Sequence, residues 1–263
     1  MRKEERGIGI FRWLFLWGFL LTGTFSAPAQ QYTGMSGLIH VPSADMDDAG
    51  EIRVGGHFLN KEFLPDAGFN PLGRGKYHTT NHYLSITPFS WIELGYTCTL
   101  QKGLKNGNKD DIGFYHKDRY FSVKIRPVKE DKWWPGIAVG SNDPVTTDNN
   151  AHETGLPEKN KNQIFGNVYV AATKHLDIEG HCIGFHLAYR KWKRSCNRKW
   201  NGPVGGITFR PSFLKSLRAI AEYTGNEVNI GADCLLWKHL LLQASLQNGK
   251  YFSGGVCLQM NLF

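Results

Sequence analysis

Short stretches in which apolar and polar residues alternate run from Glu51 to the end of the chain, and no other feature constrains the fold as much. A period of two is typical of β-strands that have one apolar face and one polar face. In the first stretch Val54 and Phe58 share one face, and Arg53 and His57 share the other. About twelve such stretches follow one another, an even number as in bacterial outer-membrane barrels. We therefore predict an all-β fold of about twelve antiparallel strands.

The connections between these stretches alternate in length, and the alternation indicates a closed transmembrane β-barrel. Such barrels have short turns on the periplasmic side and long loops outside. Residues 60–76, 101–117, 141–162 and 190–203 form long connections, whereas residues 88–90, 127–134, 173–176 and 210–216 form shorter ones. This order predicts that both ends of the barrel strand sequence face the periplasm.

The first 29 residues predict a cleaved secretory signal. Four basic residues precede the apolar run 13–21, and the small-residue site 27–29 follows it. The run is too short to cross a bilayer as a helix, and no later stretch is apolar for about 18 residues. We therefore expect a signal peptide over 1–29, a pre-barrel segment over 30–50 and an outer-membrane barrel over 51–263.

The last stretch, YFSGGVCLQMNLF, supports export to the outer membrane. Phe252, Val256 and Leu258 share one face, and the chain ends in Phe263. An amphipathic last strand that ends in an aromatic residue resembles the signal for outer-membrane assembly. The alternative is a secreted β-sandwich whose last strand happens to end in Phe.

The charge of the chain favours an anionic partner. Removal of the signal leaves 27 basic and 21 acidic residues, a formal charge of +6. Because export excludes nucleic acid as a partner, anionic polysaccharides and the phosphates of lipopolysaccharide are better candidates. The five cysteines show no metal-binding spacing, and we expect at least four of them to be small apolar strand residues.

Charged residues on the polar faces are predicted to line the lumen. They are Arg53, Glu93, Lys124, Arg126, Arg210, Arg218, Glu222 and Asp233. An excess of cations in a narrow passage would attract an anionic polymer, with Lys124 and Arg126 as candidate contacts. Alternatively, these groups pair with one another and fill a closed barrel.

Residues 190–200, RKWKRSCNRKW, form the most distinctive local signal, and we predict that they lie in an external loop. Basic and aromatic side chains can bind phosphate or carboxylate groups and stack on sugar rings. The candidate contacts are Arg190, Lys191, Trp192, Lys193, Arg194, Arg198, Lys199 and Trp200. Bridging of lipopolysaccharide phosphates is the alternative to polymer binding.

Aromatic residues flank several stretches. Rings of this kind favour membrane interfaces and would form girdles around a barrel, although scattered aromatics are common in any β-protein. The predicted girdle residues are Tyr77, Trp91, Trp133, Trp134, Trp192, Trp200 and Trp237.

The pre-barrel segment is too polar, and too interrupted by Gly and Pro, to be a lipid-facing strand. Gly37, Pro42 and Gly50 fall within it. It could be a plug or lid in the lumen or across its mouth, or an ordered leader packed on the barrel rim.

Motifs for catalysis are missing from the sequence. It contains no GxSxG motif, and His152-Glu153 lacks the second His of a zinc-binding helix. We predict no enzyme, no cofactor and no metal ligand. Three histidines that fall near one strand, His175, His181 and His186, leave an outer-membrane hydrolase as the least favoured alternative.

Four blocks of the sequence resemble the YjbH family of exopolysaccharide-associated outer-membrane proteins. They are residues 36–55, 82–97, 117–143 and 164–176. Members of this family can be longer, with two barrel-like halves, and this chain matches the first half. The residues that carry the resemblance include Gly37, Pro42, Gly50, Asp118, Arg119, Pro135, Gly140 and Asp143.

The resemblance implies a barrel that supports export or assembly of exopolysaccharide or capsule. Its implied partner is a polysaccharide-export lipoprotein, and it implies no enzymatic activity. The alternative function is a general outer-membrane barrel for adhesion, structure or passage of small solutes.

Overall fold

The structure of the chain is a computed structural model, and it describes residues 30–64, 77–104, 108, 111–146, 163 and 165–262. The predicted signal peptide, the His152-Glu153 pair and the terminal Phe263 lie outside these residues.

Twelve β-strands make up almost all of the regular structure, as the alternation of apolar and polar residues predicted. Within the described residues, two short 3-10 helices, Lys61–Phe63 and Ser195–Trp200, lie between strands. The strands are β1 (Glu51–Leu59), β2 (Thr79–Phe89), β3 (Ile92–Leu104), β4 (Ile112–Val128), β5 (Gly136–Thr146), β6 (Asn167–Ile178), β7 (His181–Trp192), β8 (Gly202–Arg210), β9 (Leu217–Tyr223), β10 (Val228–Leu236), β11 (Leu240–Gln247) and β12 (Tyr251–Asn261).

The strands form one closed antiparallel barrel. Each strand pairs with its neighbours in sequence, and β1 pairs with β12 to close the sheet. In the closing pair Glu51 lies opposite Asn261 and Phe58 opposite Gly254. Closure leaves no free sheet edge, because every strand has two partners. The predicted antiparallel barrel of twelve strands is thus confirmed.

Short turns gather at the end of the barrel where β1 begins and β12 ends, which we call the short-turn end.

The predicted position of one short turn was wrong. Residues 173–176 continue β6, and the chain reverses at Glu179-Gly180 instead. Both turn residues have positive φ, 51° for Glu179 and 81° for Gly180. Tight hairpin turns require this conformation, which glycine adopts without strain.

The outer and inner faces of the barrel differ sharply in polarity. Large apolar side chains point outward along the strands; Val54 is 51% exposed and Leu187 is 64% exposed. On the inner face, Arg53, Glu93 and Lys124 are buried. The faces therefore follow the predicted alternation, with the polar face inside.

The interior is filled by residues 30–47, which we call the plug. All of these residues are buried except Asp45, which is partly buried. The main apolar cluster joins plug residues such as Tyr32, Leu38 and Val41 to luminal side chains such as Trp192 and Trp200. Among the described residues, the helices are too short and too polar to cross a lipid bilayer.

Tryptophans at the short-turn end are exposed, whereas two others lie inside the barrel. Trp91, Trp133 and Trp237 are 51%, 76% and 72% exposed. The prediction that Trp192 and Trp200 belong to an interfacial girdle was wrong, because both rings pack in the interior against His40 of the plug.

All five cysteines are free thiols. Four of them, Cys98, Cys182, Cys234 and Cys257, lie in strands, as expected, and Cys196 lies in the 3-10 helix Ser195–Trp200.

Candidate functional site

The lumen, with the plug inside it, gathers most of the buried charges among the described residues and is the candidate functional site. Of the two predicted positions for the pre-barrel segment, the structure shows the luminal one. Two isolated β-bridges, Gln30 with Ser36 and Gly37 with Pro42, fold the plug back on itself. Gly50, with φ of 85°, then turns the chain into β1.

A carboxylate on β9 holds the centre of the plug. Glu222 accepts backbone N–H groups from Ile39, His40 and Val41 at 3.1, 2.9 and 3.0 Å. Asn229 on β10 donates to the same carboxylate at 2.8 Å. Successive backbone amides that converge in this way form a nest for an anion, so these hydrogen bonds offset part of the cost of burying the carboxylate.

Arg190 on β7 holds the same part of the plug from the other side. It donates to the carbonyl oxygen of His40 at 2.7 Å and lies 3.0 Å from Nδ1 of the His40 ring. Its guanidinium also stacks over the ring of Trp192, 4.8 Å from the centroid. Burial, followed by the charges of Arg190 and Lys199, lowers the pKa of His40 well below its ordinary value. The docked plug therefore contains a neutral His40.

A second group of contacts holds the plug at Ser36. The Ser36 N–H and hydroxyl donate to Glu93 at 2.7 and 2.5 Å. Lys124 donates to the carbonyl oxygen of Ser36 at 3.0 Å and to the carbonyl oxygen of Asp45. Lys124 also lies 3.7 Å from Glu93. The predicted luminal Lys124 therefore does face inward, but the plug uses its ammonium group.

Further contacts join the plug to other strands of the barrel wall. Arg53 pairs with Asp47 at 2.6 Å. Asn81 donates to the carbonyl oxygen of Tyr32 at 2.9 Å, and Thr97 donates to that of Thr33 at 2.6 Å. Gln243 donates to the carbonyl oxygen of Gln30 at 3.1 Å.

Several of the predicted luminal charges pair with one another, as in the second of the two predicted alternatives, and others bind the plug. Arg218 and Asp233 form a buried pair with contacts of 3.2 and 2.5 Å.

A cavity of about 330 Å³ remains at the short-turn end, beside the last part of the plug. The predicted contact residue Arg126 borders it and donates to the carbonyl oxygen of Ser90 at 2.7 Å. Asp45, Glu130, His175, Arg210 and Arg218 also line this cavity.

The predicted basic loop is divided between the lumen and the surface. Residues 190–192 belong to β7, so the prediction that they lie in an external loop was wrong. Arg190, Trp192 and Trp200 are buried. The 3-10 helix Ser195–Trp200 turns the Trp200 side chain inward, and its ring centroid lies 5.1 Å from that of His40. The remaining basic residues are exposed or partly exposed, namely Lys191, Lys193, Arg194, Arg198 and Lys199.

Two of these surface lysines already have partners. Lys193 donates to the carbonyl oxygens of Asp143 and Pro144 at 2.6 and 2.9 Å. Lys199 lies 3.5 Å from Glu227. Lys191 and Arg198 are exposed and Arg194 is partly exposed, so these three side chains can also reach a soluble anion. The assignment of polymer contacts stays a prediction.

The residues that carry the family resemblance serve several parts of the barrel. Asp118 and Asp143 are buried, and Arg119 and Pro135 are exposed. At Gly140 an added Cβ would lie 2.4 Å from the Tyr169 ring, so only glycine allows that ring to cross β5.

Sequence analysis missed three acidic groups of the site, namely Asp45 and Asp47 in the plug and Glu130, which binds Lys174 and His175 on β6. They fall in a leader and a turn, where no periodicity indicates a direction. The sequence suggested that His175 and His186 lie near each other, and their rings do meet edge to face across β6 and β7, with centroids 5.6 Å apart. His181 lies apart, near Ser212 in the next turn.

Comparison with known proteins gives one family match and a set of distant structural matches. Residues 29–179 match the family model YjbH, described as exopolysaccharide biosynthesis protein YbjH. No curated protein matches the chain.

Among solved structures, the outer membrane phospholipase dimer of Salmonella typhi with bound calcium is 13% identical, with a TM-score of 0.33 over 81% of this chain and 91% of that chain. Outer membrane phospholipase A from Escherichia coli is 15% identical, with the same TM-score over 82% of this chain and 98% of that chain. Similarity at this level supports no inference about activity.

Proposed function

This chain belongs to the YjbH family of exopolysaccharide biosynthesis proteins, and from that premise we propose that it is an outer-membrane barrel that supports export or assembly of an exopolysaccharide or capsule. The plug keeps its lumen closed at rest. The proposal involves no enzymatic step and no cofactor.

The polarity of the wall is the observation that carries the proposal. The closed barrel presents apolar side chains outward on neighbouring strands, for example Val54, Leu94 and Leu187, and buries charged groups inside. An apolar surface of this extent would be costly in water and is favourable in hydrocarbon. Exposed Trp91, Trp133, Trp134 and Trp237 at the short-turn end would lie at one membrane interface.

The filled lumen limits how the barrel could act on a polymer. Residues 30–47 occupy the interior, so a polymer chain and the plug cannot share it. We propose that the plug must leave its luminal contacts before a polymer can enter. At the long-loop end, Lys191, Arg194 and Arg198 would contact an anionic polymer or lipopolysaccharide phosphate. A polysaccharide-export lipoprotein is the proposed periplasmic partner.

Deletion and complementation test the cellular role. A strain that lacks the gene should lose exopolysaccharide from its surface, and the wild-type chain should restore it. The same strain expressing a variant without residues 30–47 should make polymer but leak small solutes, because the barrel would stay open. Unchanged surface polymer in the deletion strain would contradict the export role and favour a general barrel.

Fractionation tests the location separately. We expect the chain in the outer-membrane fraction and a shift in gel mobility on heating, which folded barrels show. A chain that stays in the aqueous fraction after high-speed centrifugation would refute the membrane assignment. A lipase or protease activity lost in His181→Ala, and kept in His82→Ala, would favour the hydrolase alternative.

A further inference from the structure

Three potential metal ligands converge where the plug meets the wall. Asp45 belongs to the plug, His175 to β6 and His186 to β7, and one ligand atom from each lies within 4.8 Å of the others. The Oδ1 atom of Asp45 is 3.8 Å from Nε2 of His175, and its Oδ2 atom is 3.8 Å from Nδ1 of His186. Both rings thus direct a nitrogen at the same carboxylate. We call these three residues the His–Asp cluster.

Hydrogen bonds behind the rings prepare both nitrogens for a metal. Nδ1 of His175 lies 2.7 Å from Oε2 of Glu130, so a proton on Nδ1 leaves the lone pair of Nε2 free. Nε2 of His186 lies 3.1 Å from the hydroxyl of Thr208, which suits a proton on Nε2 and a lone pair on Nδ1. A carboxylate or hydroxyl that fixes the outer N–H is the usual support of a metal-bound histidine.

We propose that the His–Asp cluster binds a divalent first-row transition metal such as Zn²⁺ and thereby fastens the plug to the barrel wall. Two imidazoles and one carboxylate suit a cation of this class better than Mg²⁺ or Ca²⁺, which prefer oxygen ligands. The adjoining cavity of about 330 Å³, which Asp45 and His175 line, has room for a water as fourth ligand.

The cluster needs only a small contraction to reach metal-binding geometry. Zn–N and Zn–O bonds of about 2.0–2.1 Å in a tetrahedron place ligand atoms roughly 3.3 Å apart. The side chains of His175 and Asp45 are 32% and 11% exposed, so both can shift toward the ion. The hydroxyl of Thr173 lies 3.1 Å from Nδ1 of His186, and a metal ion would replace this contact. The same hydroxyl would still accept the Ala44 N–H at 2.9 Å.

Nearby charges act in both directions on a bound cation. Four basic residues line the same cavity and oppose it, namely Arg126, Lys129, Arg210 and Arg218. The charge of Arg218 is balanced by Asp233 at 2.5 Å, and Glu130 adds a second carboxylate behind His175. The cluster carboxylate itself has the two rings as its nearest partners, so a metal would supply the charge that neutralises it.

A titration of the whole chain, folded in detergent and stripped with EDTA, tests the site with Zn²⁺ alone. We expect one Zn²⁺ per chain by calorimetry. Asp45→Asn and His186→Gln should lose this binding, and Glu130→Gln should weaken it about 10- to 100-fold, the usual effect of removing such a support. His57→Gln is the matched control, since His57 is a buried luminal histidine on β1, on the opposite side of the barrel.

Titration with Co²⁺ gives a second readout, because visible absorption bands report its ligands and geometry. The bands should appear in the wild type and in His57→Gln and be lost in His186→Gln. Heat-modifiable mobility checks that each variant is folded. If Asp45→Asn does not fold, Glu130→Gln tests the metal site instead, because Glu130 lies outside the plug and the strands, in the turn after β4. Absence of binding in the wild type, or equal affinity in the wild type, His186→Gln and Glu130→Gln, would overturn the proposal.

Discussion

Neutralising Glu222 is the sharpest test of how the plug is held. This carboxylate accepts three successive backbone N–H groups of the plug, from Ile39, His40 and Val41. In Glu222→Gln the side chain has the same size but no charge. It offers one acceptor oxygen and turns an amide NH₂ group toward backbone donors.

The cost of this change follows from the lost charge and the unpaired donors. Hydrogen bonds to charged groups contribute about 1.5–3 kcal/mol each, compared with about 0.5–1.5 kcal/mol for neutral ones, and a buried donor left unpaired costs about 1–3 kcal/mol. The relief of burying a charge offsets part of the loss. We estimate that docking of the plug weakens by about 2–4 kcal/mol. Since 1.4 kcal/mol is a factor of ten, the released plug should become about 30- to 700-fold more populated.

Two assays would measure the population of the released plug. One is the conductance of single barrels in planar bilayers, and the other is the rate at which added protease cleaves residues 30–47. Glu222→Gln should open more often and be cleaved faster than the wild type. Glu179→Gln, an equal change in the exposed β6–β7 turn, should behave like the wild type. If Glu222→Gln is folded, opens no more often and is cleaved no faster, then Glu222 does not hold the plug.

Three further predictions address the wall, the plug and the surface. Leu187→Arg places a charge on the outer face near the middle of β7. In lipid it should lower the free energy of unfolding, measured by denaturant titration, by about 2–4 kcal/mol. If the barrel does not face lipid, the change should have little effect. Because the pKa of His40 is lowered in the docked plug, proton uptake favours the released plug. Docking should therefore be complete above the ordinary pKa of about 6.5 and weaken as pH falls below it, by at most tenfold in population per pH unit. Conductance recorded from pH 7 to pH 5 should show this rise in opening, and His40→Gln should flatten it. The triple change of Lys191, Arg194 and Arg198 to Gln should reduce binding of an anionic oligosaccharide at low salt and leave thermal stability unchanged; equal binding would remove these residues as contacts.

Local sequence patterns were sufficient for the barrel itself. A strand exposes alternate residues to opposite sides, so Val54 and Phe58 facing out and Arg53 and His57 facing in could be derived from their spacing alone. The same alternation, continued about twelve times, predicted the number of strands. Errors fell at the ends of strands. The β6–β7 turn was placed about five residues early, although Thr173 and His175 continue the inner face of β6.

The candidate site was predictable only in part. Inward-facing charges such as Lys124 and Glu222 were identified, but their partners were not. The basic and aromatic character of residues 190–200 suggested a surface loop, since sequence alone cannot show that Trp200 returns into the lumen to pack on His40.

By itself, therefore, the sequence determined the secondary structure, the closed-barrel architecture and the polarity of each face, because these depend on residues a few positions apart. Tertiary structure alone decided that the leader fills the lumen and which charges it meets. The contact between Val41 and Glu222 spans 181 residues, and Asp45 meets His175 and His186 only after β6 and β7 have paired. Such contacts exist only once the barrel has closed around the plug, and no local pattern in the chain records them.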